Sequence, residues 1–299
     1  MSIYAIKLKM PNFQQTSRVN DALQYIHSDI NRSLTAATLA AQARYSQQHF
    51  HRLFQAIVGE PVNQYVRRIR LESAANHLMF NPQQAIIEIA AKCGFHSLSS
   101  FSQAFKKQFL VTPGQWRTLK ENSTSPPYLQ APELASHYRR IYCKALPQVQ
   151  YVHLPDRHIA YIRHLGYNRG IKKTWQLLQA WAIAEGFEQG NQLGLHHSNP
   201  TQTPLDQCRY VACIEIDAPL TKRGLVNSTV IPGGLHARFD FSGRYGELFP
   251  CMSKILQQWL PNSGLIATTT PAFALYHKNQ FLSSDERYQL SFFLPVSFY

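Results

Sequence analysis

Residues 34–118 of this 299-residue chain carry the same pattern twice. Ala40-Ala41-Gln42-Ala43-Arg44-Tyr45 aligns with Ala90-Ala91-Lys92-Cys93-Gly94-Phe95 at an offset of 50. Ser46, Phe50, Phe54, Val62, Gln64 and Tyr65 then match Ser97, Phe101, Phe105, Pro113, Gln115 and Trp116 at an offset of 51. Two copies of one supersecondary unit are implied. The apolar spacing within and around them is helical: Val19, Ala22, Leu23, Ile26 and Ile30 recur at i, i+3, i+4 and i+7, and similar stripes follow over 34–43, 47–57, 62–79, 85–91 and 99–109. The spacing predicts an all-α domain of about seven helices.

Each copy reads as a short helix, a tight turn and a second helix, the helix-turn-helix pattern. In the first copy, Ser46 stands where an N-cap belongs, and Phe50, Leu53, Phe54 and Ile57 hold one face to a core. The opposite face presents Gln48, His51 and Arg52. Gln can read adenine, Arg can grip guanine with two hydrogen bonds, and His can give or take one, so this face suits the major groove of double-stranded DNA. The second copy turns at Gly94, where positive φ is cheap, caps with Ser97 and presents Leu98, Ser99 and Gln103. It is the poorer reader, and the first copy is expected to dominate sequence preference.

Charge points the same way. The chain carries +13, and residues 1–120 hold 14 Lys and Arg against 5 Asp and Glu. A basic partner surface is therefore expected there, with Arg67 (in the group Arg67, Arg68, Arg70), Lys106 and Lys107 as candidate phosphate contacts.

The segment 121–132, ENSTSPPYLQAP, ends the helical periodicity, and a linker is expected over 121–147. Beyond it the pattern alternates over 158–164, 210–216, 236–241 and 288–294, which predicts strands; two amphipathic helices, 171–185 and 246–260, interrupt them. Trp181, Arg209 and Tyr210 match Trp259, Arg287 and Tyr288 at an offset of 78. The reading is multidomain: an all-α domain with two helix-turn-helix units (1–120), then an α+β domain of two β-α-β-β halves related by a pseudo-twofold (148–299).

The run from Ile26 to Lys120, with FHRLF at 50–54, GFHSLSSFSQAFKK at 94–107 and TPGQWR at 112–117, resembles the DNA-binding domain of AraC/XylS transcription regulators. That resemblance implies base-facing positions at Gln48, His51, Arg52, Leu98, Ser99 and Gln103. Arg44 falls where many relatives have the turn glycine; a left-handed backbone there costs on the order of 1 kcal/mol. The stretch 148–299 resembles the GyrI-like small-molecule-binding domain. The carrying residues are RHIAY at 157–161 with Gly166-Tyr167, Gly194-Leu195-His196, Cys208-Arg209-Tyr210, Gly233-Gly234 with Gly243-Arg244-Tyr245, and Leu294-Pro295-Val296. The resemblance implies an effector site and a regulator acting on transcription, with RNA polymerase as a further candidate partner. Where many ligand-binding relatives carry a Glu, this chain has Ser291.

Candidate lining residues for that site are Trp175, Tyr245, Phe249, Tyr276, Tyr288 and Phe293, with Tyr161 and Ser291. Without the carboxylate at 291, neutral or anionic amphipathic effectors are expected over hydrophobic cations. The expected chemistry is binding alone, with no cofactor. Two alternatives stay open: a small hydrolase in the C-terminal cleft, for which Glu215 and Tyr161 are the candidate groups, and a protein-docking module. His196 and His197 with Cys208 and Cys213 form no compact zinc pattern, so no metal is expected. No run of about 18 uncharged apolar residues occurs, which predicts no membrane span. Five scattered cysteines without a Cys-x-x-Cys pair fit a reducing cytoplasm.

Overall fold

A computed structural model describes residues 12–118 except 82, residues 132, 135, 136, 140 and 141, and residues 144–298 except 202, 221–223 and 269. Most of the expected linker thus lies outside the described residues; within it, residues 132, 135, 136, 140 and 141 are helical.

Seven helices form the first domain among the described residues: α1 (Phe13–Ser28), α2 (Ala36–Gln42), α3 (Gln47–Val58), α4 (Val62–Phe80), α5 (Ile86–Lys92), α6 (Leu98–Phe109) and α7 (Pro113–Thr118). Asn12 opens α1 with a capping box to Gln15, satisfying two backbone donors that the helix itself leaves unpaired. The predicted repeat is the architecture. Helices α2–α3 and α5–α6 are the two helix-turn-helix units, and α4 serves both. Its first half buries Val62, Tyr65, Val66 and Ile69 beside Phe50 and Phe54. Its second half buries Leu71, Ala74, Ala75 and Leu78 beside Phe101 and Phe105. The two turns both need a left-handed residue, Arg44 at φ 56° and Gly94 at φ 76°.

Among the described residues the second domain is a nine-stranded antiparallel sheet with two α-helices: β1 (Gln150–Leu154), β2 (Arg157–Leu165), α8 (Ile171–Glu185), β3 (Gln192–His196), β4 (Arg209–Glu215), β5 (Asn227–Ile231), β6 (Gly234–Arg244), α9 (Leu248–Lys254), β7 (Leu265–Ala267), β8 (Ala272–Lys278) and β9 (Arg287–Phe298). The strand order is β1-β6-β9-β8-β3-β4-β2-β5, with β7 paired to the end of β9. That order is unchanged when the halves are exchanged about the β8–β3 pair, so the pseudo-twofold expected from the offset of 78 is present in the topology. Each half is the predicted β-α-β-β unit (β2-α8-β3-β4 and β6-α9-β8-β9). The short strands β1 and β5 add to it by pairing across halves, β1 with β6 and β5 with β2.

One expectation needs correcting: the second helix is α-helical only over Leu248–Lys254. It continues as a π turn (Ile255–Trp259) and a 3-10 turn (Leu260–Asn262). Pro261 has no amide hydrogen to donate back into an α-helix, so regular helix cannot run through it.

Strand alternation gives the sheet two apolar faces. Ala160, Ile162, Tyr210, Ala212, Phe239, Leu290 and Phe292 face α8 and α9. Ile159, Tyr161, Leu193, Leu195, Val211, Cys213, Phe273 and Phe293 face the other way. Helix α1 docks beside this second face: Ser17 Oγ donates to Asn227 Oδ1 at 2.7 Å and Gln24 Nε2 to Thr229 Oγ1 at 2.6 Å. Among the described residues no helix is long and apolar enough to cross a membrane, and no cluster of three metal-binding side chains occurs.

Candidate functional site

The α3 helix is amphipathic in the way its sequence demands. Phe50, Leu53 and Phe54 are buried, Gln48 and Arg52 are exposed, and His51 is half-buried between them. None of Gln48, His51 or Arg52 is held by a hydrogen bond or ion pair to a described residue, so their polar ends are available to a ligand. Ser46 occupies the N-cap position but its hydroxyl makes no capping bond, contrary to expectation. The free amides at the start of α3 are thereby left for another acceptor.

In α6 the cap is present, Ser97 Oγ accepting from the Ser100 amide at 3.2 Å. Leu98 is 42% exposed, and Ser99, Gln103, Lys106 and Lys107 are exposed. Lys106 and Lys107 lie in the last turn of α6, where the helix dipole favours cations.

The basic group on α4 divides. Arg67 is exposed. Arg68 is taken up by Glu60 and Glu72, each at 2.7 Å; burial alone would lower its pKa, but the two carboxylates outweigh it and hold it above the ordinary arginine value. Arg70 donates to the carbonyls of Ile30, Gly94 and Arg32, joining the two helix-turn-helix units. Spacing alone could not separate these roles, because they depend on which neighbour each guanidinium reaches.

In the second domain the candidate lining residues do not meet in one place. Trp175, Tyr245, Phe249, Tyr276 and Tyr288 pack in the helix-covered core. There Trp175 Nε1 donates to Tyr210 Oη at 3.0 Å, and Tyr210 and Tyr276 share a hydrogen bond at 3.2 Å. The gap among Tyr167, Tyr245, Phe249, Tyr276 and Phe281 measures about 20 Å³, room for about one water. Burial raises the phenol pKa values of Tyr167, Tyr210, Tyr276 and Tyr288. Tyr161, Ser291 and Phe293 lie on the opposite face. Phe293 stacks on Phe273 at 4.8 Å, while Ser291 Oγ donates to Asp240 at 2.6 Å and contacts His277 Nε2 at 3.0 Å. Successive residues of a strand point to opposite sides, so Tyr288 and Phe293, five apart on β9, cannot line the same pocket.

Larger spaces lie between the domains, which sequence reasoning missed. A crevice of about 630 Å³ runs between α1, α4 and the β3–β4 connection. A second cavity, about 440 Å³, lies between α1 and the sheet face that carries Tyr161. The contact beside them is ionic and aromatic: Arg209 at the start of β4 donates to Glu60 at 2.8 Å and lies 4.4 Å from the Tyr65 ring centre. His27 of α1 hydrogen-bonds Tyr65 at 2.7 Å and packs on His197, ring centres 4.6 Å apart. Burial drives both imidazoles toward the neutral form, helped by Arg163 and Arg209, with His197 adding to the effect at His27 and His196 to that at His197; His197 falls to about 3. His196 points away into the aromatic core toward Tyr167, so the two histidines do not converge on one ligand.

Comparison with known proteins gives these surfaces a family. Residues 39–118 match the helix-turn-helix domain family, and residues 147–297, half of the chain, match the GyrI-like small molecule binding domain family. The chain is similar to PqrA of Proteus vulgaris, with 36% identity over 110 residues, covering 36% of this chain and 87% of that protein. It is similar to the HTH-type transcriptional activator AarP of Providencia stuartii, with 33% identity over 103 residues, covering 34% of this chain and 76% of AarP. It also resembles the right origin-binding protein of Escherichia coli K12, with 33% identity over 107 residues, but covering only 36% of this chain and 37% of that one. With two helix-turn-helix units on a shared α4 and a pseudo-twofold sheet domain behind them, the chain belongs to the DNA-binding transcription regulators that join an AraC-type helix-turn-helix domain to a GyrI-like small-molecule-binding domain.

Proposed function

We propose that this regulator selects its DNA sites chiefly through α3, with Gln48, His51 and Arg52 on base edges. Leu98, Ser99 and Gln103 of α6 meet a neighbouring stretch of major groove, and Arg67, Lys106 and Lys107 meet phosphates. Residues 1–120 form the DNA-binding unit, 121–147 the linker and 148–299 the effector unit. A small molecule held by the effector unit modulates transcription by RNA polymerase in the cytoplasm.

One observation carries the reading: the long polar side chains on the outer face of α3 have no partner within the described protein, whereas Arg68 and Arg70 nearby are fully engaged. The protein acts by binding alone. Glu215, the candidate base of a hydrolase, is paired with Arg157 at 2.7 Å and accepts from Asn191 at 2.7 Å, so its carboxylate is committed to structure. Selection of random duplexes by the full chain tests the proposal. A consensus whose strongest positions fall under the α3 footprint is expected, and recovery of duplexes without a shared sequence would refute it.

A further inference from the structure

The 440 Å³ cavity has walls from both domains. Gln24, His27 and Ser28 of α1 form one side; Ile159, Tyr161, Leu195, Val211 and Ile231 of the sheet form an apolar floor. Its size is that of an ordinary small-molecule site. Its charge is one-sided. Among the described residues it is lined by Arg163 and no Asp or Glu, with His27, His158 and His197 beside it, of which burial holds His27 and His197 toward the neutral form. Asp21, whose charge is felt at Tyr161, stays outside the lining. Arg163 forms no ion pair with a described carboxylate and rests instead on the Tyr161 ring, 5.1 Å from its centre. A guanidinium half-withdrawn from water without a counter-ion is an incomplete arrangement, and an anion entering the cavity completes it.

We infer that this interdomain cavity is the effector site and takes an amphipathic anion, an aromatic or alicyclic body on the sheet floor with a carboxylate or sulfonate at Arg163. The inference rests on the reading of the chain as an effector-modulated regulator and adds where the effector sits, its charge and how it reaches the DNA-binding domain. An occupant touching α1 and the sheet together binds best when the domains are docked, so it stabilises that arrangement. The larger crevice offers no such selection, because Asp29 and Glu72 line it together with Arg32 and Lys92.

The test uses the full chain and two fluorescent probes of one shape, anilinonaphthalenesulfonate and its uncharged parent phenylnaphthylamine. Arg163→Gln is expected to weaken the sulfonate about tenfold or more while leaving the parent unchanged, since only the charged hydrogen bond is lost. Arg163→Lys, which keeps the charge, is expected to retain preference for the sulfonate, and Ser28→Trp, which fills the cavity from the α1 side, to expel both probes. Hydrogen exchange on adding the sulfonate is expected to slow in residues 13–28 as well as in residues 157–165. Unchanged sulfonate affinity in a folded Arg163→Gln variant, or protection confined to the effector domain, would overturn the inference. DNA selection by the same preparations separates the two levels: selective DNA binding with probes indifferent to Arg163 refutes the cavity and leaves the regulator reading intact.

Discussion

Arg70, midway along α4, donates from Nη1 to the carbonyl of Gly94 at 3.0 Å, and a Cβ added to Gly94 would lie 2.6 Å from the Arg70 Cζ. The same guanidinium donates to Ile30 and Arg32 at 2.8 and 2.7 Å, so one side chain sets the turn of the second helix-turn-helix unit against the start of the first. Gly94→Ala meets both a left-handed backbone and this clash. A loss of about 2–3 kcal/mol is expected in urea unfolding, from left-handed strain and weakened hydrogen bonds.

Arg44, the equivalent turn residue of the first unit, is the reverse case. At φ 56° it carries the left-handed cost that Gly94 avoids. Arg44→Gly relieves about 1–2 kcal/mol of strain and returns about 0.5–1 kcal/mol through the entropy of the unfolded chain. A net gain of up to ~1.5 kcal/mol is expected by the same measurement, and a loss of stability would show that the Arg44 side chain has a further role.

On DNA, Arg52→Ala is expected to cost about 1–3 kcal/mol at the preferred site and to blur selection at one base pair. Arg67→Ala should weaken all sequences about equally. Anisotropy titrations with the preferred and scrambled duplexes compare them, and an unchanged ratio between duplexes for Arg52→Ala would remove Arg52 from the base-reading set.

The spacing of the two units predicts the shape of the bound DNA. The 19 residues of α4 span roughly 28 Å, against about 34 Å per turn of straight B-DNA. With α3 and α6 both packed on α4, a single chain should protect about 20 base pairs and curve them, at an elastic cost of order 1–6 kcal/mol. Footprinting and circular-permutation gels check this, and a dimer on a straight palindrome would sink it.

Acid should loosen the contact between the domains. His197 titrates near 3 in the folded protein against an ordinary value of 6.5, and His27 is lowered as well, with burial as the main cause in both. A lowered folded pKa means that the unfolded chain binds more protons below about 6.5, so stability is full above that pH and declines as pH falls toward 3. The expected loss is up to ~1.4 kcal/mol per histidine for each pH unit. Thermal melts at pH 7.5 and about one unit below 6.5 should differ less in His197→Gln than in the natural sequence.

Glu60 bridges Arg68 and Arg209, whose side chains are only 10% and 11% exposed. Glu60→Gln leaves the buried Arg209 without its anion and Arg68 with Glu72 alone, and a loss of about 2–4 kcal/mol is expected. A double-mutant cycle with Arg209→Gln should show coupling of at least about 0.5 kcal/mol, as for residues in direct contact. Additivity would mean that the ion pair does not join the domains.

The helix-turn-helix pair, the outward faces of α3 and α6, and the two halves of the sheet domain were legible in the chain because they are written in local periodicity: Phe50 and Phe54 one helical turn apart, Gln48 and Arg52 on the other side, Arg209 and Arg287 opening equivalent strands. The parity of Tyr288 and Phe293 even separates the faces of β9, so grouping them in one pocket overlooked a signal that was present. What no local pattern carries is the meeting of distant segments. Glu60 reaches Arg209 across 149 residues, Arg163 faces α1 across a cavity, and Arg68 and Arg70 are spent on structure while Arg67 is not. Those roles depend on how two separately formed cores dock, and docking is decided by shape and charge assembled in three dimensions, which residue spacing along the chain does not record.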